Sequence, residues 1–269
     1  MPMLSLAHFT IIKAGPLELV EFAARAGFDA VGLRIQPPMA AEAIVPVVGD
    51  PQMQRAIKAK LRDTGLTLLD VEAFWLMADT DMDAFMAAIE TGAELGAGHV
   101  LVVGNDPDRP RLLDRFARFC EHAKGCGIVP MLEFIPYSQI RSLAEAHAFL
   151  AESGASDAGL LVDSLHLSRS GGSPSDIAGY DPELFRYAHL CDAPGPIPPA
   201  DQLRHEARNE RLYPGEGGLW LEDFVAAFPA GTPFAIEAPA ARHAALSMAE
   251  QAELAARMSR DVIEKAGRR

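Results

Sequence analysis

The stretch GLLVDSLHLSRSGG, residues 159–172, starts as an apolar run suited to a buried strand and then sets Asp163 and His166 where apolar residues should continue. The same interruption recurs along the chain. Glu133 closes VPMLEFIP, His189 and Asp192 sit in YAHLCDAP, Glu237 closes PFAIEAP, Glu72 lies in LLDVEAFW, and Asn105 and Asp106 follow HVLVVG. A single acid at a strand end usually caps the next helix or faces water, and Asp106 and Asp192 suit that description. Glu133 and Glu237 do not, because each has apolar neighbours and a buried carboxylate without a partner carries a large desolvation cost. If Glu133, Asp163, His189 and Glu237 converge, three carboxylates repel one another and their pKa values climb unless a cation lies between them. A divalent ion removes the conflict. Three oxygen donors and one imidazole form a hard set, so one ion per chain is expected, Mn2+ first, with Mg2+, Co2+ or Zn2+ as alternatives, rather than a sulfur-rich structural zinc site.

Such convergence needs a scaffold that brings many strand ends to one place. Short apolar or β-branched runs recur at LSLAHF, DAVGLRI, LTLLDVEAF, HVLVVG, VPMLEFI, GLLVD, YAHLCD and PFAIEA. Between them lie stretches of helical period: PLELVEFAARAG, PQMQRAIKAKLRDTG, MDAFMAAIETGAELG, PRLLDRFARFCEHAKG and SLAEAHAFLAESG. Pro16 suits a first helical turn and Gly27 a C-terminal stop. Several runs are apolar at nearly every position, as parallel strands covered on both faces are. Eight βα units in a chain of this length predict a single α/β domain over residues 1–269, a closed (β/α)8 TIM barrel. An open doubly wound sheet would carry a Gly-rich first turn, and AHFTIIKAGP has no GxGxxG. In a barrel the chemistry lies at the C-terminal strand ends, where all these polar residues fall. His166 joins Asp163 there only if the sixth strand stops near Ser164, since strand residues three apart point oppositely.

Composition narrows the partners. The 269 residues are 49% hydrophobic and carry a formal net charge of −13, which repels phosphate backbones and anionic membrane surfaces. The N-terminus MPMLSLAHFTIIK lacks a basic leader, and no run approaches the roughly 18 apolar residues of a membrane span, so a cytoplasmic location is expected. Cys120, Cys126 and Cys191 are odd in number without CxxC spacing and read as reduced thiols.

These residues together resemble the xylose isomerase-like barrels, the superfamily of sugar isomerases and epimerases that also holds inosose and dehydroshikimate dehydratases and type IV apurinic endonucleases. The matching elements are Glu133 in LEF, D-x-x-H at Asp163 and His166, H-x-x-D at His189 and Asp192, R-x-x-P-G-x-G from Arg211 to Gly217, and IEA at Glu237. The resemblance implies that Glu133, Asp163, His189 and Glu237 hold the cation, that Glu133 and Glu237 also exchange protons with substrate, and that His166 touches substrate oxygens. The extra histidines of the three-zinc endonucleases are absent from VEAFW and VVGND, and LEFIPYS lacks the histidine that dehydroshikimate dehydratases often carry after the glutamate.

The remaining polar groups are candidates for holding substrate. Arg211 in RLYPGEGGLW reads as a substrate-facing cation, Arg169 in SRSGG as a partner for an anion, and Glu72 and Asn105 as further substrate-binding groups. Trp75, Phe134 and Tyr137 offer faces for stacking or packing. His122, His147 and His243 lack a strand-end context and read as surface or packing residues. There is no GxSxG elbow and no GxxxxGK[ST] loop. ARHAALSMAEQAELAARMSRDVIEKA predicts a long last helix on the barrel exterior, with a homo-oligomer contact possible there. The expected function is a metal-dependent sugar isomerase or epimerase acting on a small keto-sugar or polyol through a metal-stabilised enediolate. A dehydratase or lyase on the same residues is the alternative, and a non-catalytic sugar- or metal-binding barrel a third.

Overall fold

Apolar runs of three to ten residues form the strands, and turn chemistry at their ends sets where each stops. The computed structural model describes residues 1–38 and 43–267. The strands are β1 (Leu4–Leu6), β2 (Ala30–Arg34), β3 (Thr67–Leu76), β4 (His99–Gly104), β5 (Val129–Glu133), β6 (Gly159–Asp163), β7 (Ala188–Leu190) and β8 (Phe234–Ile236). All pair in parallel, in chain order, and β8 closes on β1 with Phe234 opposite Leu4. The expected (β/α)8 barrel is therefore the fold.

Helices α1 (Pro16–Ala26), α2 (Pro51–Thr64), α3 (Met82–Leu95), α4 (Arg109–Gly125) and α5 (Leu143–Ser153) lie where the helical period places them. Their ends are chemically marked. Asp50, Asp81, Asp108 and Ser142 accept first-turn N–H groups, and Gly27, Gly65, Gly96 and Gly154 take the left-handed conformation that stops a helix. Shorter helices α6 (Ser164–Arg169), α7 (Pro174–Ile177), α8 (Leu203–Asn209) and α9 (Leu221–Ala227) fill the connections after β6 and β7. The last helix, α10 (Met248–Lys265), is shorter than its sequence predicts, and Ala241–His243 is a separate 3-10 turn. The reason is a capping box: Ser247 Oγ accepts from Glu250 N, and Glu250 Oε2 accepts from Ser247 N at 2.8 Å.

Apolar helix faces and outward strand residues make one large core between the two layers. The barrel bore holds a smaller one, including Ala30, Leu101, Val103, Met131, Leu161 and Ala235. Because strand side chains alternate, the residues two places beyond Met131 and Leu161 also face the bore. These are Glu133 and Asp163.

One buried group outside the expected set makes stability depend on pH. His8 follows β1 and is 4% exposed; its Nε2 donates to Ala14 O at 2.9 Å and its Nδ1 accepts from Arg34 N at 3.0 Å. That pairing requires the neutral ring. Burial lowers its pKa from 6.5 to about 4, outweighing the Ala14 bond, with Arg34 adding to the fall. The unfolded chain therefore binds the extra proton first as pH falls, and stability drops through the window from 6.5 to 4. The expected loss attributable to His8 is about 3 kcal/mol across that window. Urea unfolding of wild type and His8→Gln at several pH values measures it, and parallel pH profiles for the two proteins would refute it.

Candidate metal centre at the barrel mouth

Four side chains from four strand ends meet at the C-terminal mouth. Glu133 and Asp163 end β5 and β6, His189 lies in β7, and Glu237 follows β8. Their exposures are 4%, 0%, 0% and 4%, and one donor atom from each lies within 4.8 Å of all the others. His189 Nδ1 stands 3.7 Å from Glu133 Oε1, 3.9 Å from Asp163 Oδ2 and 3.6 Å from Glu237 Oε2. These spans are too long for hydrogen bonds. Among the described residues, Glu133 Oε1 and His189 Nδ1 have no hydrogen-bond partner, so buried donors for a hard cation stand unpaired in the cluster. The residues thus fit a divalent ion.

The electrostatics agree with that fit. Burial, then the Glu237 charge, pushes Glu133 well above the usual carboxylate range. For Glu237 and Asp163 burial pushes the same way, but Arg211 overrides it and holds both below their ordinary values, aided by His189 at Glu237 and His166 at Asp163. Burial disfavours charge on His189, yet Glu237, Glu133 and Asp163 together raise its pKa to about 10. The cluster attracts positive charge strongly.

Asp163 is also why His166 reaches the site. Its Oδ1 accepts from Leu165 N at 2.7 Å and His166 N at 3.0 Å, so the strand turns directly into α6. His166 Nε2 then lies 3.4 Å from Arg211 Nη2, with Tyr137 edge-on at 6.0 Å between ring centres. Burial lowers the His166 pKa to about 4, leaving a neutral imidazole.

Arg211 differs from its expected place as an open substrate-facing cation. It is 2% exposed and bonds Asp163 Oδ2 at 2.6 Å, Glu237 Oε2 at 2.9 Å, Glu237 O at 2.8 Å and Ala207 O at 2.8 Å. It orients two of the three cluster carboxylates. Arg169 departs further: its guanidinium is buried against Glu206, at 2.9 and 2.6 Å, and against Pro194 O at 2.8 Å. A fully engaged guanidinium tying α6 to α8 has no fork left for an anion. Glu72 lies wholly inside the bore, Oε1 accepting from Phe9 N at 3.0 Å and standing 3.4 Å from Arg34 Nε. Asn105 is half-buried and directs its amide to Met77 Sδ at 3.2 Å.

Asp106 and Asp192 are not solvated caps. Each is 1% exposed. Arg111 holds Asp106 with two 2.6 Å bonds, and Asp108 caps α4 instead. Asp192 accepts from the N–H groups of Ala193, Gly215, Gly217 and Leu219, which folds PGEGG back on β7. A Cβ on Gly217 would meet Ala193 O at 2.3 Å, so only glycine fits. Phe134 is buried in the outer core, whereas Trp75 and Tyr137 are half-buried and also pack on the bore's apolar cluster. The helix and turn histidines pack as expected: His122 pairs with Glu90, His147 packs at a tilt against Tyr180, and His243 stacks on Tyr213 and pairs with Glu216.

Sequence reasoning missed Asp70 and Tyr187. Both are fully buried, and Tyr187 Oη donates to Asp70 Oδ2 at 2.8 Å. Burial, then Glu72, raises the Asp70 pKa to about 7. The available signal was the acid pair two residues apart in LLDVEAF, which places both side chains on one strand face.

Residues 20–264 match a family described as xylose isomerase-like TIM barrel. No curated protein matches the sequence. Among solved structures, a xylose isomerase-like TIM barrel/4-hydroxyphenylpyruvate dioxygenase fusion protein superposes with a TM-score of 0.79 at 21% identity, over 99% of this chain. The present chain spans 43% of that protein. The IOLI protein with a binding zinc atom gives 0.77 at 18% identity, over 99% of each chain. A D-allulose 3-epimerase from Methylomonas sp. in complex with D-allulose gives 0.70 at 16% identity, over 98% of this chain and 97% of that one.

Proposed function

Because the chain belongs to the xylose isomerase-like TIM barrel family, we propose that it is a divalent-metal-dependent isomerase or epimerase acting on a small keto-sugar or related polyol. The observation that carries this reading is the pair Glu133 and Glu237. They stand three strands apart around the ring, both buried, with donor oxygens in the same cluster. Two carboxylates so separated are suited to remove a proton on one side of a carbon and return one on the other.

Glu133, Asp163, His189 and Glu237 would hold the ion, and their oxygen-rich set favours Mn2+. When bound, the ion supplies Lewis-acid polarisation of a carbonyl oxygen. The chain's own groups do the rest. One of the two glutamates accepts the proton next to the carbonyl and the other delivers one to the opposite face or the neighbouring carbon, with Arg211 holding Glu237 in place at 2.9 Å. Neutral His166 at the mouth orients a substrate hydroxyl through a hydrogen bond. The likeness to a D-allulose 3-epimerase supports a keto-sugar substrate.

Incubating the Mn2+-loaded protein in D2O with ketoses, inososes and keto-glycosides tests the reading. Deuterium is expected at a carbon next to the carbonyl, with every hydroxyl retained in the product. Loss of a β-hydroxyl would assign a dehydratase instead. Metal-loaded protein that washes deuterium into none of the three substrate classes would overturn the proposal.

A further inference from the structure

Below the cluster, the bore holds groups that the proposed reaction does not use. Asp70 and Glu72 come from β3, and Tyr187 precedes His189 by two residues, so the two pairs meet from opposite sides of the eight-strand ring. Asp70, Glu72 and His189 are each 0% exposed, and one polar atom from each lies within 4.8 Å of the other two. One oxygen of each acid is already engaged, Asp70 Oδ2 by Tyr187 Oη at 2.8 Å and Glu72 Oε1 by Phe9 N at 3.0 Å. Among the described residues, Asp70 Oδ1, Glu72 Oε2 and His189 Nε2 have no hydrogen-bond partner. Gly32 clears space beside them: a Cβ there would stand 2.4 Å from Asp70 Oδ1 and 3.5 Å from Glu72 Oε2.

The opposite nitrogen of the same imidazole, Nδ1, is the one that approaches Glu133, Asp163 and Glu237. A neutral imidazole has one N–H and one lone pair, and a partner for the N–H decides which nitrogen keeps the lone pair. We propose that Asp70 and Glu72 are positioning residues which accept the Nε2 proton of His189, through a span that one water bridges, and so turn the Nδ1 lone pair to the cation. Two groups sharing a water lie about 4.5 Å apart, and one ligand atom from each of Asp70, Glu72 and His189 lies within 4.8 Å of the other two. Tyr187 fixes the Asp70 carboxylate, leaving Oδ1 as its accepting edge. A carboxylate behind the ring also makes the imidazole a stronger donor to the ion. This inference rests on the reading of His189 as a metal ligand.

The test uses the full chain labelled with 15N-histidine and loaded with Zn2+, which is diamagnetic. Wild type is expected to show a proton on His189 Nε2, shielded from exchange with water, and the ion on Nδ1. Asp70→Asn, nearly the same size, is expected to weaken Zn2+ affinity about 10- to 100-fold and to speed exchange of that proton at an unchanged melting temperature. Tyr187→Phe should move both readouts the same way by a smaller step. The wild-type spectrum decides even if a variant fails to fold, since a proton on Nδ1 or the ion on Nε2 overturns the inference. Wild-type affinity and an unchanged Nε2–H signal in Asp70→Asn overturn it as well. If Asp163→Asn loses the ion while Asp70→Asn does not, this inference fails and the metal centre stands; if wild type binds no divalent ion, the metal reading itself fails.

Discussion

Glu133→Gln and Glu237→Gln are each expected to lower kcat by about 10²-fold or more, the scale of general acid–base catalysis, with a smaller loss of metal affinity. Glutamine keeps the side-chain size and one carbonyl donor but takes up no proton. Both sites tolerate the change sterically, yet their neighbours differ. Glu133 Oε1 has no hydrogen-bond partner among the described residues, so an amide there loses only the proton carrier and a ligand charge. Glu237 Oε2 lies 2.9 Å from Arg211 Nη2, so the amide must present its oxygen to the guanidinium. If epimerisation uses both glutamates, one variant will still exchange the substrate proton from a single face without completing turnover. Deuterium wash-in and product formation, measured separately at saturating Mn2+, separate these cases. Wild-type turnover in either variant removes that glutamate from the mechanism, and in both it reduces the cluster to a binding feature.

The difference between what was legible in the chain and what was not follows from the range of each interaction. Strands and the first five helices are local: apolar runs, aspartate or serine caps and glycine stops lie within one element. The cluster was legible for a related reason, because β5, β6 and β8 each set a polar residue at the end of an apolar run, and the barrel brings such ends together. Arg169 was misjudged because its partner, Glu206, is 37 residues away in a connection with no periodic pattern. Asp192 shares that difficulty, since its partners at Gly215, Gly217 and Leu219 exist only after the loop folds back. Arg211 reads as a free cation in RLYPGEGG, and only the bore shows it bound to two carboxylates. Asp70 was hidden by its context, an acid within a strand rather than at its end.

The largest loss of metal affinity is expected from the cluster itself, in Asp163→Asn and His189→Gln. Wild type should bind one Mn2+ per chain after chelation and reloading. Asp163→Asn keeps an oxygen to cap Leu165 N and His166 N but removes the charge that faces both the ion and Arg211. His189→Gln removes the only imidazole among the four donors and leaves three buried carboxylates with Arg211 as their nearest compensating charge. Losing a direct ligand should exceed the roughly 10- to 100-fold typical of an outer partner, so each variant is expected to bind Mn2+ more than about 100-fold more weakly. His166→Asn is the contrasting case. His166 approaches the site from α6 beside Arg211 and is outside the four-donor cluster, so that variant should keep the ion and lose turnover. Titration calorimetry with Mn2+, alongside thermal melts to confirm folding, reads all three. Loss of the ion in His166→Asn would add His166 to the ligands, and wild-type affinity in both Asp163→Asn and His189→Gln would place the metal elsewhere.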